Sequence, residues 1–320
     1  MDNITHSLIG AALGQAGLKR LSGLGMATLI IAANIPDIDA TCTIYGIESL
    51  AMRRGVTHGP IAWVVLPLLL TLIMVGWDKW QTARGTRPRK RLPVRPVQLY
   101  LLALIGTLSH PLFDWFNNYG IRLLEPFSHR WFYGDTLFII DVWIWMLLGV
   151  SLWLSRRRER NRRNDWPRPA LFGLAALATY VLLNSVVSIL AVRDARTQLQ
   201  VAGVTPTLIV ASPPPIMFWQ REVFWRTEDR FGSGVVDLLG DNDMDTVGQP
   251  TGMNDPRIAA AARTDRALAA FLFWARMPFA QQGADGLVIG DQRFASAMVS
   301  GRFTVTIPNP PAPAAEPAAQ

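Results

Sequence analysis

The chain begins as a series of apolar segments separated by short polar breaks, and from residue 193 it changes to a strand-like alternation. Asp2 to Leu18 is rich in Gly and Ala and stops at Lys19-Arg20. At about 1.5 Å per residue it is short for a full crossing, so a re-entrant or tilted partial helix suits it as well as a span does. Leu21 to Ile35 is a second such segment ending in NIPDID, and the two together read as a helical hairpin. Pro60 to Trp77 predicts a transmembrane helix of about 27 Å. Val97 to Phe116 runs back, Thr136 to Leu154 crosses again, and Ala170 to Val192 crosses last. Between them, Ala40 to Gly59 carries Arg53-Arg54 and closes in RGVTHGP, and Tyr119 to Asp135 is an aromatic-rich loop suited to a headgroup interface.

Beyond Arg193, the segments TQLQVAGVTPTLIVASPPPIMFWQREVFWRT, GLVIGDQRFAS and GRFTVTIP alternate apolar and polar positions with Thr, Val, Phe and Trp, which predicts a β-rich domain over 193–307. Within it, the Ala-rich stretch Asp255 to Phe279 predicts helix. PNPPAPAAEPAAQ, residues 308–320, has the composition of a disordered tail. The expected fold class is mainly α: a polytopic transmembrane helical bundle over 1–192, followed by an extracytoplasmic β-rich domain.

Charge fixes the orientation. A net charge of +7 and a pI near 10.1 would suggest nucleic acid if the basic residues formed one face. Instead seven Lys/Arg lie between Lys79 and Arg95 and seven Arg between Arg156 and Arg168, each cluster between apolar runs. That is the pattern of cytoplasmic loops, and no direct nucleic-acid partner is expected. With both loops in the cytoplasm, His58, His110 and His129 fall on the outer side, and His6 and the NIPDID carboxylates join them if the first hairpin is drawn as above. Histidine played no part in setting that topology, so the convergence independently supports a common site. The start of the chain has no basic region ahead of its apolar stretch and no evident cleavage site, so no removable signal peptide is expected. The single cysteine, Cys42, excludes an internal disulfide and a thiolate-based zinc site.

The stretch Thr107 to Asn118, TLSHPLFDWFNN, organises the candidate chemistry. His110 and Asp114 stand four apart and share a helical face. Pro111 between them either starts a helix or kinks a continuing one and frees the Thr107 carbonyl. Asp2 and His6 repeat the spacing at the chain start. Asp37 and Asp39 sit in a Pro-started turn, where alternate residues can bind an ion from one side. Asp135 follows His129, and Asp141 lies in the apolar run Thr136 to Trp145, where an acid needs a partner. All four histidines follow Ser or Thr. Helix capping by Thr5, Thr57 and Ser109 would explain the hydroxyls but not the histidines. Imidazoles and carboxylates without thiolate suit a divalent ion, zinc first, with manganese or iron as alternatives. DNDMD at Asp241 to Asp245 lacks the Gly and terminal Glu of a calcium loop, and the chain has no GxSxG elbow, P-loop or dinucleotide fingerprint.

These motifs, DNITHSLIGAALG, NIPDID, RGVTHGP, SHPLFDWFNNYG and PFSHRWFYGDTLFIIDVW, resemble in order and spacing the YdjM-type family over roughly residues 1 to 190. Those bacterial inner-membrane proteins are described as membrane-bound metal-dependent hydrolases and as LexA-binding. The resemblance implies a metal-dependent hydrolase in the inner membrane, with Asp2, His6, Asp37, Asp39, His58, His110, Asp114, His129 and Asp141 as metal-site residues and Asp135 as a further candidate. The chemistry expected is hydrolysis by a metal-activated water with Asp114 or Asp39 as the base, on an amphiphilic substrate such as a membrane lipid or lipid-linked ester. Two other readings compete: a scaffold that binds a cytoplasmic regulatory protein through its basic loops, and a metal or proton transporter.

Overall fold

The computed structural model describes residues 1–295 and 303–309. The first helices are short. Helix α1 (Asn3–Gln15) is 13 residues, about 20 Å long and well short of a bilayer core, and α2 (Gly25–Ala32) has eight. A 3₁₀ stretch over Ile35–Glu48 leads into the one-turn α3 (Ser49–Met52), and a 3₁₀ turn at Val56–His58 precedes α4 (Pro60–Ala83). Helices α5 (Pro96–Trp115), α6 (Val142–Arg160) and α7 (Arg168–Val201) complete the bundle. Four helical stretches are long and apolar enough to cross a membrane: Gly25–Met52, which joins α2 to α3, and the helices α4, α5 and α7.

Missing side chains explain how the short hairpin packs. A Cβ on Gly10 of α1 would collide with the Leu29 carbonyl, and one on Gly106 of α5 with Ala32 and the same carbonyl. Both helices therefore press their backbones against α2, the close approach that small residues permit in membrane bundles. Helix α2 is held between α1 and α5.

Several boundaries differ from the sequence-based expectation: α2 is shorter than Leu21 to Ile35, α4 continues past Trp77 to Ala83, and α6 and α7 are shifted as well. Helix α6 starts at Val142 rather than Thr136, because the Asp141 carboxylate caps it by accepting the N–H groups of Trp143 and Ile144 at 3.0 and 3.2 Å. Asp141 thus stands at the helix entrance and not inside a span. Helix α7 continues nine residues past Val192. At 34 residues it is about 51 Å long, more than a membrane core requires. Its last turns place Ala191, Ala195 and Leu199, four residues apart, in a core with Ile209, Val223 and Trp225.

That core belongs to the C-terminal unit. Strands β1 (Leu208–Ser212), β2 (Gln220–Arg226), β3 (Arg230–Asp237) and β4 (Asp243–Met244) form an antiparallel sheet in sequence order, with β5 (Gln249–Pro250) also pairing with β3. Strands β6 (Pro278–Gln282), β7 (Gly286–Asp291) and β8 (Thr304–Pro308) form a second antiparallel sheet. The helix expected over Asp255 to Phe279 is two helices, α8 (Pro256–Ala261) and α9 (Arg266–Trp274), capped by Asp255 and Asp265, and Phe279 is already in β6. Of the tail expected over 308–320, Pro308 closes β8 and residues 310–320 lie outside the described residues.

Helix α9 joins the two parts of the chain. Its Leu268, Phe271 and Trp274 are fully buried in one cluster with Leu50 of α3 and Tyr119 after α5. Large side chains buried this way contribute roughly 1.5–3 kcal/mol each. Polar contacts reinforce the junction: Arg276 pairs with Asp135 at 2.8 Å, and Trp131 Nε1 donates to the Phe273 carbonyl at 3.1 Å.

Candidate metal centre

His58, His110 and Asp114 are buried and meet Asp37 at one end of the bundle, with one ligand atom from each lying within 4.8 Å of all the others. Helix α5 supplies His110 and Asp114 from adjacent turns of one face, their Nε2 and Oδ2 atoms 3.5 Å apart. Pro111 sits inside the continuing helix, near its end. The 3₁₀ turn before α4 supplies His58, whose Nε2 is 3.5 Å from Asp114 Oδ2 and 3.2 Å from His110 Nε2. The 3₁₀ stretch after α2 supplies Asp37, with Oδ1 3.6 Å from His110 Nε2.

The outer faces of both imidazoles are already committed. His110 Nδ1 lies 2.8 Å from the Ala33 carbonyl, which can only accept, so Nδ1 carries the proton. This contact depends on the Gly106 packing that brings the end of α2 against α5. His58 Nδ1 faces Thr57 Oγ1 at 2.9 Å and Asp39 Oδ2 at 3.4 Å, and Thr57 itself donates to Asp39 at 2.8 Å. A second hydrogen bond fixes Asp39, from the Arg54 backbone N–H at 2.8 Å. With Nδ1 engaged on both rings, the two Nε2 atoms are left facing one another inside the cluster.

This arrangement fits a divalent cation. Donors about 2.1 Å from a tetrahedral ion stand about 3.4 Å apart, close to the separations found here. Carboxylate and carbonyl partners on the far nitrogens are the usual support of metal-bound imidazoles. Among the described residues both ring nitrogens of the buried His6 and Asp114 Oδ2 make no hydrogen bond, although the Arg54 guanidinium stands 3.1 Å from that oxygen, so the cluster keeps polar atoms free to meet an ion.

Asp114 is surrounded by cationic groups. Arg54 Nε lies 3.1 Å from Oδ2, and the Met1 amino nitrogen contacts Oδ1. Arg54 also donates to Asn117 Oδ1 at 2.8 Å, and its guanidinium lies 4.6 Å from the centroid of Tyr119. Sequence reasoning missed this arginine, although a signal was present. Arg53-Arg54 falls in a connection assigned to the outer side, where the positive-inside rule disfavours basic residues, and a misplaced charge calls for a buried partner.

The other expected site residues are distributed around or away from the cluster. His6 stacks on His110 with ring centroids 3.8 Å apart, and its Nε2 is 3.3 Å from Asp114 Oδ1. Asp39 stands behind His58 as an orienting group. Asp2 does not share a ligand face with His6. It precedes α1, and its carboxylate accepts the Ile4 and Thr5 N–H groups at 2.9 and 3.0 Å. His129 is 67% exposed and pairs with Glu125 at 2.9 Å, its loop lying outside the cluster. Asp135 is taken by Arg276, and Asp141 by its helix cap and by the Tyr180 hydroxyl at 3.0 Å.

The profile of the YdjM inner membrane protein family matches residues 1–190, a segment that contains the whole cluster. The chain belongs to the YdjM inner membrane protein family. Over 175 residues this YdjM-family chain is also 28% identical to the uncharacterized protein YfhP of Bacillus subtilis (strain 168), covering 48% of this chain and 47% of that protein. It therefore spans about half the length of that relative. No solved structure matches it. The sheets after residue 208 lie outside the family segment, although they pack against the end of the bundle that carries the YdjM-family histidines.

Proposed function

We propose that this protein is a membrane-bound metal-dependent hydrolase whose ion is held by Asp37, His58, His110 and Asp114. The observation that carries this reading is the pair of buried Nε2 atoms 3.2 Å apart, each ring held from behind at Nδ1 and each Nε2 facing Asp114. A divalent ion there, zinc first and manganese or iron as alternatives, would supply Lewis acidity and bring the pKa of a water toward neutrality. His6 closes the buried side of the site by stacking on His110. Arg54 pairs with Asp114 and holds it in place.

Asp37 is the most accessible member, with its side chain 11% exposed while those of His58, His110 and Asp114 are at 0%. It stands where a reactant enters, and with one oxygen turned to the cluster its second oxygen would be the one to take a proton from an incoming water. This moves the role of base away from Asp39, which is engaged with Thr57, His58 and Arg54, and away from Asp114, which is sealed in the cluster. By the positive-inside argument the site opens on the outer face of the inner membrane, and its location at a bundle end suits an amphiphilic ester, a lipid or lipid-linked molecule.

Elemental analysis of the detergent-purified protein tests the reading, beside a His58→Ala/His110→Ala variant and with a lipid-ester hydrolysis screen on both. Stoichiometric metal and hydrolysis, both lost in the variant, are expected. A folded wild type that takes up no metal on reconstitution would overturn it.

A further inference from the structure

A groove of about 830 Å³, distinct from the metal cluster, runs along α1 between α2 and α6. Helices α1 and α6 lie parallel: Trp145 Nε1 donates to Thr5 Oγ1 at 3.0 Å near one end, and Ser155 Oγ donates to Gln15 Oε1 at 3.2 Å near the other. Ile4, Leu8 and Ala11 of α1, Ile30 of α2 and Leu152 of α6 give the groove apolar walls. Gly149 opens it further, since a Cβ there would meet nothing within 4 Å.

One end of the groove is basic. Arg156, Arg157 and Arg160 line it, and none has a carboxylate partner among the described residues. Their neighbours are satisfied: Arg158 and Arg163 both pair with Asp165, and Lys19 pairs with Glu159 at 2.6 Å. Three guanidiniums without a carboxylate partner among the described residues thus stand at the mouth of an apolar slot at the end of a membrane helix, Arg157 stacked over Trp153 with its centre 5.5 Å from the ring centroid. They match an anionic headgroup followed by a hydrocarbon chain.

We propose that this groove is a binding site for an anionic phospholipid, with the headgroup phosphate on Arg156, Arg157 and Arg160 and an acyl chain lying along α1. The site is independent of the metal reading. The lipid would pack on the side of α1 away from His6 and hold that helix against α6. Each basic side chain near a membrane surface favours an anionic lipid by about five-fold, so three give a preference on the order of 100-fold over a zwitterionic lipid.

The test is native mass spectrometry of delipidated protein titrated with phosphatidylglycerol or phosphatidylcholine. Phosphatidylglycerol should be retained at one molecule per chain with that preference. Retention should fall at least ten-fold in Arg156→Gln/Arg157→Gln/Arg160→Gln and persist in the triple Lys variant. It should fall likewise in Gly149→Trp, which fills the slot and keeps the charges. Should Gly149→Trp misassemble, Ala11→Leu on the facing wall takes its place with the same expectation. Equal retention of the two lipids would overturn the proposal. So would loss in the Gln variant with full retention in the slot-filling variant, which would mark surface attraction without a groove.

Discussion

His58 and His110 bring their Nε2 atoms to 3.2 Å while each ring's Nδ1 is held by a separate partner, Thr57 and Asp39 for one and the Ala33 carbonyl for the other. Two imidazole nitrogens at that spacing beside the carboxylates of Asp37 and Asp114 form a ready ligand set for a cation. Metal should therefore stabilise the fold. At a free concentration 100 times Kd the gain is about 2.7 kcal/mol. Thermal unfolding with added zinc and with chelator should differ accordingly in the wild type and coincide in His110→Ala.

Gly106 should control the site from a distance. Any larger residue there pushes on Ala32 and the Leu29 carbonyl and moves the Ala33 carbonyl away from His110. Gly106→Val is expected to weaken metal affinity by roughly 10–100-fold, as loss of an imidazole's orienting partner does. Gly76, where a Cβ meets nothing, provides the contrast. Gly76→Ala should leave metal binding unchanged and stabilise α4 by roughly 0.5–1 kcal/mol, read from metal titration and unfolding of the same samples.

Removing Arg54 leaves the Asp114 carboxylate in the buried cluster without its guanidinium. Losing one member of such a pair costs roughly 3–5 kcal/mol. Arg54→Ala should lower the unfolding midpoint by that amount, and Arg54→Lys by less, since lysine keeps a charge but loses the reach to Asn117.

The C-terminal unit should lose stability in acid. Burial alone would raise the Asp291 carboxyl, but the Arg293 guanidinium at 2.8 Å and the N–H groups of Met277 and Arg293 hold it below its ordinary value of 3.8. A carboxyl depressed in the folded state contributes its full stability above the unfolded pKa and loses it as pH falls from 3.8 through the lower folded value. Emission from the buried Trp225 and Trp274 should follow this loss below about pH 4. Asp291→Asn should be less stable at neutral pH and flatter across that window.

Most of the cluster was legible in the sequence because its signals are local. The spacing of His110 and Asp114 needs only one helical face, and hydropathy with the basic loops places His6, Asp37 and His58 at the same end. What pattern could not supply was the far partner. Nothing in the sequence tells that Arg54 crosses to Asp114 or that the Ala33 carbonyl meets His110, since both contacts depend on how helices pack. His129 was drawn in by the outer-side topology, Asp141 by its place in an apolar run, and both by the family motif, and the competing demands of a loop ion pair and a helix cap account for where they lie. The β-rich character after residue 193 was readable from alternation, but α7 ignores that border because its last turns are as good a sheet cover as a membrane anchor.

The Tyr119 ring lies under Arg54 on one side and packs with Trp274 of α9 on the other. A single aromatic side chain is thus shared between the polar cluster and the sheet unit. A chain cut at the end of the family segment would strip Tyr119 and Leu50 of their cover and would lose the last turns of α7 together with the sheet they pack on. The sequence family and the folding unit therefore have different limits, and a partner that pulls on the C-terminal unit would be pulling, through one ring, on the arginine that holds Asp114.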